Sequence, residues 1–173
     1  MQQCIEQARR SFHLDRLTIE RCGLSSSAGS TRLVRDPAHT GGARLDRSGD
    51  AQPLTNRAAA TLESFEVAVT TLDQYFADYD GPPVSFIKCD VEGHEAAVFE
   101  GGRGLLNRDR PTLLVEVHDR HVRQGTLFRL LEALDYDAFL LHGSRLVPMA
   151  EYDRVRPGIA KAYLNYVFQP RRG

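Results

Sequence analysis

Apolar residues recur along this chain at two different spacings, and the alternation between the two predicts an α/β fold. Val84, Phe86, Ile87 and Cys89 form a short apolar run that contains one lysine, Lys88, and ends abruptly in Asp90, Glu92, Gly93 and Glu95. Apolar residues at adjacent positions predict a strand buried on both faces, as in a parallel sheet, and Gly93 marks the turn that leaves it. Glu95 to Arg103, with Ala96, Ala97, Val98 and Phe99, then suits a helix whose first turn carries acids favourable to its dipole. Thr112 to Val117 is a second apolar run, so the segment reads as a strand, helix, strand crossover with Thr112–Val117 parallel to Val84–Cys89. Ligands of open α/β sheets bind just beyond the carboxyl ends of such strands, which is where Asp90 stands.

The rest of the chain carries the same two signals. Cys4, Ile5, Ala8 and Phe12 share one side of a helix, Leu17 to Cys22 alternates like a strand, and the small residues 25–30 form a turn before a strand over Thr31 to Val34. Residues 36–61 are polar, rich in glycine and aperiodic. A loop of that length is usually functional, and a mobile lid on the Asp90 side of the sheet is expected. Phe65, Val67 and Val69 alternate as a strand. Thr71-Leu72-Asp73-Gln74 then matches a capping box for a helix with a Leu72, Tyr75, Phe76, Tyr79 stripe, which Gly81-Pro82-Pro83 stops. Thr126 is placed to cap a helix with Leu127, Leu130, Leu131 and Leu134 on one face. Strands over Tyr136 to Leu141 and Ala162 to Phe168 flank a turn at His142-Gly143-Ser144.

Bulk properties narrow the classes without choosing among them. The 173 residues are 42% hydrophobic and 26% charged, with a formal net charge of −1, an ordinary globular composition. That balance supplies no electrostatic reason to expect nucleic acid or an anionic membrane as partner. Three widely spaced cysteines, Cys4, Cys22 and Cys89, argue against a disulfide framework and for a reducing, cytoplasmic setting. No apolar signal-peptide core opens the chain.

Candidate chemistry gathers at the two strand ends. Asp90 there suits either an active-site acid or a cap for the following helix, and Glu92 and Glu95 suit either function or the helix dipole. His118 and Asp119 end the next strand. A neutral imidazole at that point can take a proton from a substrate hydroxyl. Asp90, His118 and Asp119 could together hold magnesium or manganese, but their spacing is no metal signature and histidine is an unusual magnesium ligand, so no metal site is expected. Cys89 lies within its strand, and no nucleophile turn of the Gly-x-Ser-x-Gly kind exists. Lys88 is read as structural. Residues two apart face one side of a strand, so if Asp90 and His118 are level, Lys88 and Glu116 are level one step deeper, which predicts a buried ion pair. His94 and His121 read as surface residues.

Taken together, Val69-Thr70-Thr71-Leu72-Asp73, Phe86-Ile87-Lys88-Cys89-Asp90-Val91-Glu92-Gly93-His94-Glu95, Gly101, Leu105-Leu106, Arg110-Pro111 and Val115-Glu116-Val117-His118 resemble the FkbM family of S-adenosylmethionine-dependent methyltransferases. The likeness is strongest over residues 69–119. It implies a Rossmann-like class I methyltransferase sheet, mostly parallel with an antiparallel C-terminal strand, and O-methylation of a hydroxyl on a sugar or secondary metabolite. It further implies Asp90, Glu92 and His118 as catalytic residues and Gly23, Leu24 and Asp90 as contacts for S-adenosylmethionine. The family's opening strand with its glycine-rich turn, and the second strand with its ribose-binding acid, have no counterpart here. Residues 1–173 are therefore expected to form one incomplete domain that lacks the first two strands and alone binds the cofactor weakly or not at all. The alternative is a truncated, non-catalytic domain acting as a binding or structural module.

Overall fold

The computed structural model describes residues 7, 9–11, 16–35, 43–45, 63–159 and 162–171. They build two mixed sheets. In the first, β1 (Gly23–Leu24), β4 (Glu63–Thr70), β2 (Gly29–Arg35) and β3 (Ala43–Leu45) lie in the order β1-β4-β2-β3. Only β1 and β4 run parallel; β2 is antiparallel to both β4 and β3. The second sheet has the order β5-β6-β9-β7-β8, from β5 (Phe86–Cys89), β6 (Thr112–His118), β7 (Tyr136–His142), β8 (Arg145–Pro148) and β9 (Tyr163–Pro170). Here β5 and β6 are parallel, as the crossover predicts, and β9 is antiparallel to β6 and β7, as expected for the C-terminal strand.

The expectation of a mostly parallel sheet is corrected. One pair in each sheet is parallel and the others are antiparallel. The physical reason is connection length, since β7 and β8 are joined by a two-residue turn with Gly143 at φ 61, and a turn that short reverses the chain. The strand predicted for Leu17 to Cys22 is not formed. Leu17 and Ile19 are exposed there, and pairing begins only at Gly23. Leu17–Cys22 accordingly makes no pairing with β6. Most of the predicted helix at residues 4–12, and most of the predicted lid at 36–61, lie outside the described residues; within the lid, Ala43–Leu45 pairs with β2.

The helices are α1 (Leu72–Tyr75), α2 (Glu95–Glu100), α3 (Arg103–Asp109), α4 (Asp119–Gln124), α5 (Thr126–Glu132) and α6 (Tyr152–Val155). The helix expected over Glu95 to Arg103 is therefore split at Gly101-Gly102. Thr71 caps α1 as predicted, its hydroxyl accepting the Gln74 N–H at 3.0 Å, but α1 is a single turn. Tyr75 and Tyr79 stay exposed and only Leu72 of the expected stripe is buried. Gly125, at φ 69, takes the position before α5 that was expected of Thr126, while Leu127, Leu130, Leu131 and Leu134 are all buried as the pattern required.

The core explains where the site lies. Cys89, Leu113, Val115, Val117, Leu164, Tyr166 and Phe168 point to one face of the second sheet and join Val98, Phe99, Leu105, Leu106, Leu127 and Leu131 in one apolar cluster. The alternate residues, Lys88 on β5, Glu116 and His118 on β6, and Tyr163 and Asn165 on β9, fall on the opposite face and are half-buried or exposed. Such alternation marks a sheet packed on one side. The expectation that Val84–Cys89 is buried on both faces is thus corrected: Phe86 is 54% exposed on an edge strand whose outer side has no pairing among the described residues.

Two polar devices hold the frame. Asp73, in α1, accepts the Gly104 and Leu105 N–H groups at 3.0 and 2.8 Å and so caps α3 from a distance. Asp73→Ala leaves those donors unsatisfied and is expected to cost about 1–2 kcal/mol in chemical denaturation. Arg110, in the left-handed conformation at φ 53, donates to the Leu134 and Asp135 carbonyls and lies over the Tyr136 ring at 4.9 Å. No described helix is long and apolar enough to cross a membrane.

Candidate active site

The turn after β5 is built around one unusual residue. Glu92 has φ 52, a left-handed conformation that a non-glycine residue adopts at a cost, and Gly93 follows at φ 97. A Cβ on Gly93 would come within 2.6 Å of His121 Cε1, so glycine is required there by both backbone and space. The buried Glu95 ties the turn by accepting the Gly93 N–H at 2.9 Å. The result brings the Glu92 carboxylate close enough to Tyr163 on β9 for the two groups to influence each other's titration. Burial, and then the neighbouring Asp90, push the Glu92 carboxyl above its ordinary range.

Register decides who meets whom. Lys88 pairs with Leu114 and Cys89 with Val115, so the next residue, Asp90, comes level with Glu116 and not with His118. The predicted Lys88–Glu116 ion pair is corrected accordingly. Lys88 Nζ instead reaches Asp90 Oδ2 at 2.8 Å, with the two side chains 51% and 40% exposed. A pair so open to water is worth little, and a Lys88/Asp90 double-mutant cycle is expected to give a coupling of about 0.2–1 kcal/mol. The Glu116 carboxyl is half-buried beside Asp90, and desolvation and then Asp90's charge raise it above the usual carboxylate range.

His118 stands one step beyond Glu116 on the same face. Its Nδ1 accepts the Arg120 N–H at 3.1 Å and caps α4, and its ring meets Tyr163 edge-on with centroids 4.7 Å apart. Burial, and then the nearby Arg120 charge, lower its pKa, so the ring is held neutral. With Nδ1 accepting, the neutral ring carries its proton on Nε2. Asp119 faces elsewhere: its carboxylate takes the Tyr152 hydroxyl, Arg156 and Arg123 at 2.9, 2.9 and 2.7 Å and locks α6 to the end of β6. Asp90, His118 and Asp119 therefore do not converge, and the described residues contain no cluster of three or more side chains suited to a metal ion. Burial pushes the Cys89 thiol up to about 12, which suits a packing role.

Gly23 and Leu24 sit in the first sheet, opposite Val69 and Thr70 of β4. A Cβ on Gly23 would lie 3.0 Å from Val69 Cγ1, so this glycine permits close strand packing. The following residue joins the two candidate regions. Ser25 N–H donates to the Thr70 carbonyl at 2.9 Å, while Ser25 Oγ lies 3.0 Å from His94 Nε2, directly before α2. His94 is thus part of the internal frame, a correction to its reading as a surface residue, and His121 is likewise half-buried against Gly93. Tyr163 carried no motif, and Ser25 only the looser family likeness of Gly23-Leu24-Ser25. The spacing of Glu116 from His118 already put the two on one face, but the antiparallel register that sets Glu116 beside Asn165 and His118 beside Tyr163 had no sequence signal.

Beside these residues a cleft of about 750 Å³ opens between β6, β9 and Gly158, Ile159 and Ala162, lined by Glu116, Tyr163, Asn165 and His142 among others. Asp90, Glu92 and Glu116 lie near one another at this end of the sheet, a grouping of carboxyls whose charge suits a cation such as a sulfonium, and of the three only Glu116 lines the cleft. The arrangement can hold a neutral polar ligand and accept a proton from it.

Comparison with known proteins bears on the family and the fold. The crystal structure of a methyltransferase FkbM from Methylobacillus flagellatus superposes with a TM-score of 0.52 at 17% identity, covering 96% of this chain and 32% of that one. The likeness is one of fold, and the chain spans about a third of the length of the structure it matches. No curated protein matches significantly. The methyltransferase FkbM domain model matches residues 5–142, most of the chain, and the chain therefore belongs to the FkbM methyltransferase family.

Proposed function

We propose that this chain is part of an S-adenosylmethionine-dependent O-methyltransferase acting on a hydroxyl of a small molecule such as a sugar or secondary metabolite. The observation that carries the reading is the convergence of Asp90, Glu92, Glu116 and His118 on one open sheet face at the carboxyl ends of the parallel β5–β6 pair. When bound, the cofactor supplies an electrophilic methyl group on a positively charged sulfur. Asp90 and Glu92 would hold that charge, and Gly23 and Leu24, tied to the Asp90 turn through Ser25 and His94, would meet the adenine end.

The chain's own contribution is chiefly positioning. A hydroxyl placed in line with the methyl carbon reacts far faster than one free in solution. Asn165 and Tyr163 offer hydrogen bonds that fix the acceptor, and the carboxylates receive its proton. A reducing, cytoplasmic setting suits the two free thiols at Cys22 and Cys89. The test is transfer of an isotope-labelled methyl group from S-adenosylmethionine to a panel of methyl glycosides and polyols. Labelled ether products support the reading. Donor binding with label appearing only on nitrogen or sulfur acceptors overturns the O-methyl assignment, and the absence of donor binding favours the binding-module alternative.

A further inference from the structure

We infer that Glu116 is the proton acceptor of the transfer, and that the acceptor molecule enters through the cleft between β6, β9 and Ile159. The inference rests on the functional reading above and adds a residue and a subsite to it.

Elimination among the neighbours points to Glu116. His118 Nδ1 is occupied by the Arg120 N–H, so its neutral ring presents an N–H and donates where a base must accept. Asp90 is paired with Lys88 at 2.8 Å and does not line the cleft. Glu92, on the turn after β5, does not line the cleft either. Asp119 is taken by Tyr152, Arg156 and Arg123. Glu116 alone of these acids lines the cleft, with Asn165 directly opposite on β9. An amide beside a carboxylate is suited to a hydroxyl: the amide N–H₂ donates to its oxygen while the carboxylate accepts its proton.

The step balances without a further reactant. The acceptor oxygen forms the new O–C bond with a lone pair, the C–S bond breaks with its electron pair left on sulfur, and the hydroxyl proton passes to Glu116, then to water. The pairing with Asp90 gives Glu116 its strength, because two adjacent carboxylates cannot both ionise freely. Glu116 is faced by Lys88, Asp90 and Glu92 from the β5 side, by Tyr163 from β9 and by His142 across the cleft. Lys88 opposes the rise, but burial and Asp90 outweigh it. A base with a raised pKa loses function as pH falls through that value, so the rate rises with pH and levels off above it.

Two measurements test the proposal. In the first, carboxyl-detected NMR of the free protein follows Glu116 with pH, in the wild type and in Asp90→Asn. Glu116 is expected to titrate above the range of exposed glutamates and to shift down in the variant. In the second, single-turnover methyl transfer to the glycoside and polyol panel is compared for wild type and Glu116→Gln. The variant is expected to be about 10²- to 10⁴-fold slower, with unchanged donor affinity and no acidic limb in its pH profile. Ordinary Glu116 titration, no response to Asp90→Asn, or Glu116→Gln transferring at the wild-type rate overturns the inference. The titration needs no donor, so a protein with a normal Glu116 that still methylates hydroxyls sinks this inference alone. A protein that methylates none of the panel sinks the functional reading and the inference with it.

Discussion

Phe99→Ala is expected to lower the stability of the chain by about 3–5 kcal/mol, a loss comparable to a large fraction of the roughly 5–15 kcal/mol that holds a typical domain folded. Phe99 is fully buried in α2 and belongs to the same apolar cluster as Leu106, Leu113, Val115, Leu131, Tyr166 and Phe168. Its removal takes away both the transfer energy of an aromatic ring and the contacts of the atoms that lined it. The helix is only Glu95–Glu100 and packs on α5, with Val98 and Phe99 as its buried apolar side chains. Urea denaturation of the two proteins gives the difference directly. A loss under about 1 kcal/mol would mean that the site collapses around the gap, and that α2 is not the anchor described here.

Gly101→Ala should show a different kind of damage. A Cβ at this position would come within 2.2 Å of the Ser25 carbonyl oxygen and 3.1 Å of Thr71 Cβ, while the Gly101 carbonyl itself accepts the Asp73 N–H at 2.9 Å. Three segments meet there: the turn after β1, the start of α1 and the end of α2. The Ser25 contact is backbone and has no rotamer to swing away, so relief requires the turn to move. The expected cost is about 1–3 kcal/mol or more, the range for inserting atoms into closely packed structure. Displacing the turn also stretches the 3.0 Å contact between Ser25 Oγ and His94 Nε2. The His94 ring resonances should therefore shift in the folded variant. Unchanged stability together with unchanged His94 signals would contradict the close approach of these segments.

Much of the architecture could be read from side-chain spacing. The parallel β5–β6 pair, the buried leucines of α5 and the Thr71 cap follow from local periodicity and capping chemistry, which act over a few residues. What escaped depends on partners far along the chain. Whether Lys88 is buried depends on what covers the far face of the sheet, and an apolar run with Phe86 and Ile87 adjacent does not reveal that only one face is packed. The Lys88–Glu116 proposal failed on a two-residue error in register, since parallel strands joined by helices carry no turn to fix it. The same alternation that misplaced Lys88 still grouped Glu116 with His118 on one face. Tyr163 and Asn165 became visible only when β9 was placed antiparallel to β6. Within the site, Asp90 and Glu92 were legible as acids at a strand end, whereas the left-handed backbone at Glu92 was not, because nothing in the side chain announces it.

The account turns on the claim that the carboxyl ends of β5 and β6 form the cofactor side of a methyltransferase site. Chemical-shift mapping of the amide spectrum with S-adenosylmethionine tests it most directly, because even weak binding displaces resonances. The account predicts saturable shifts at Gly23, Leu24 and Asp90 to His94, leaving the opposite end of the sheet around Phe139 and Met149 unmoved. Saturable shifts confined to Phe128, Phe139 and Met149, or no shifts at the Asp90 turn at saturating donor, would contradict it.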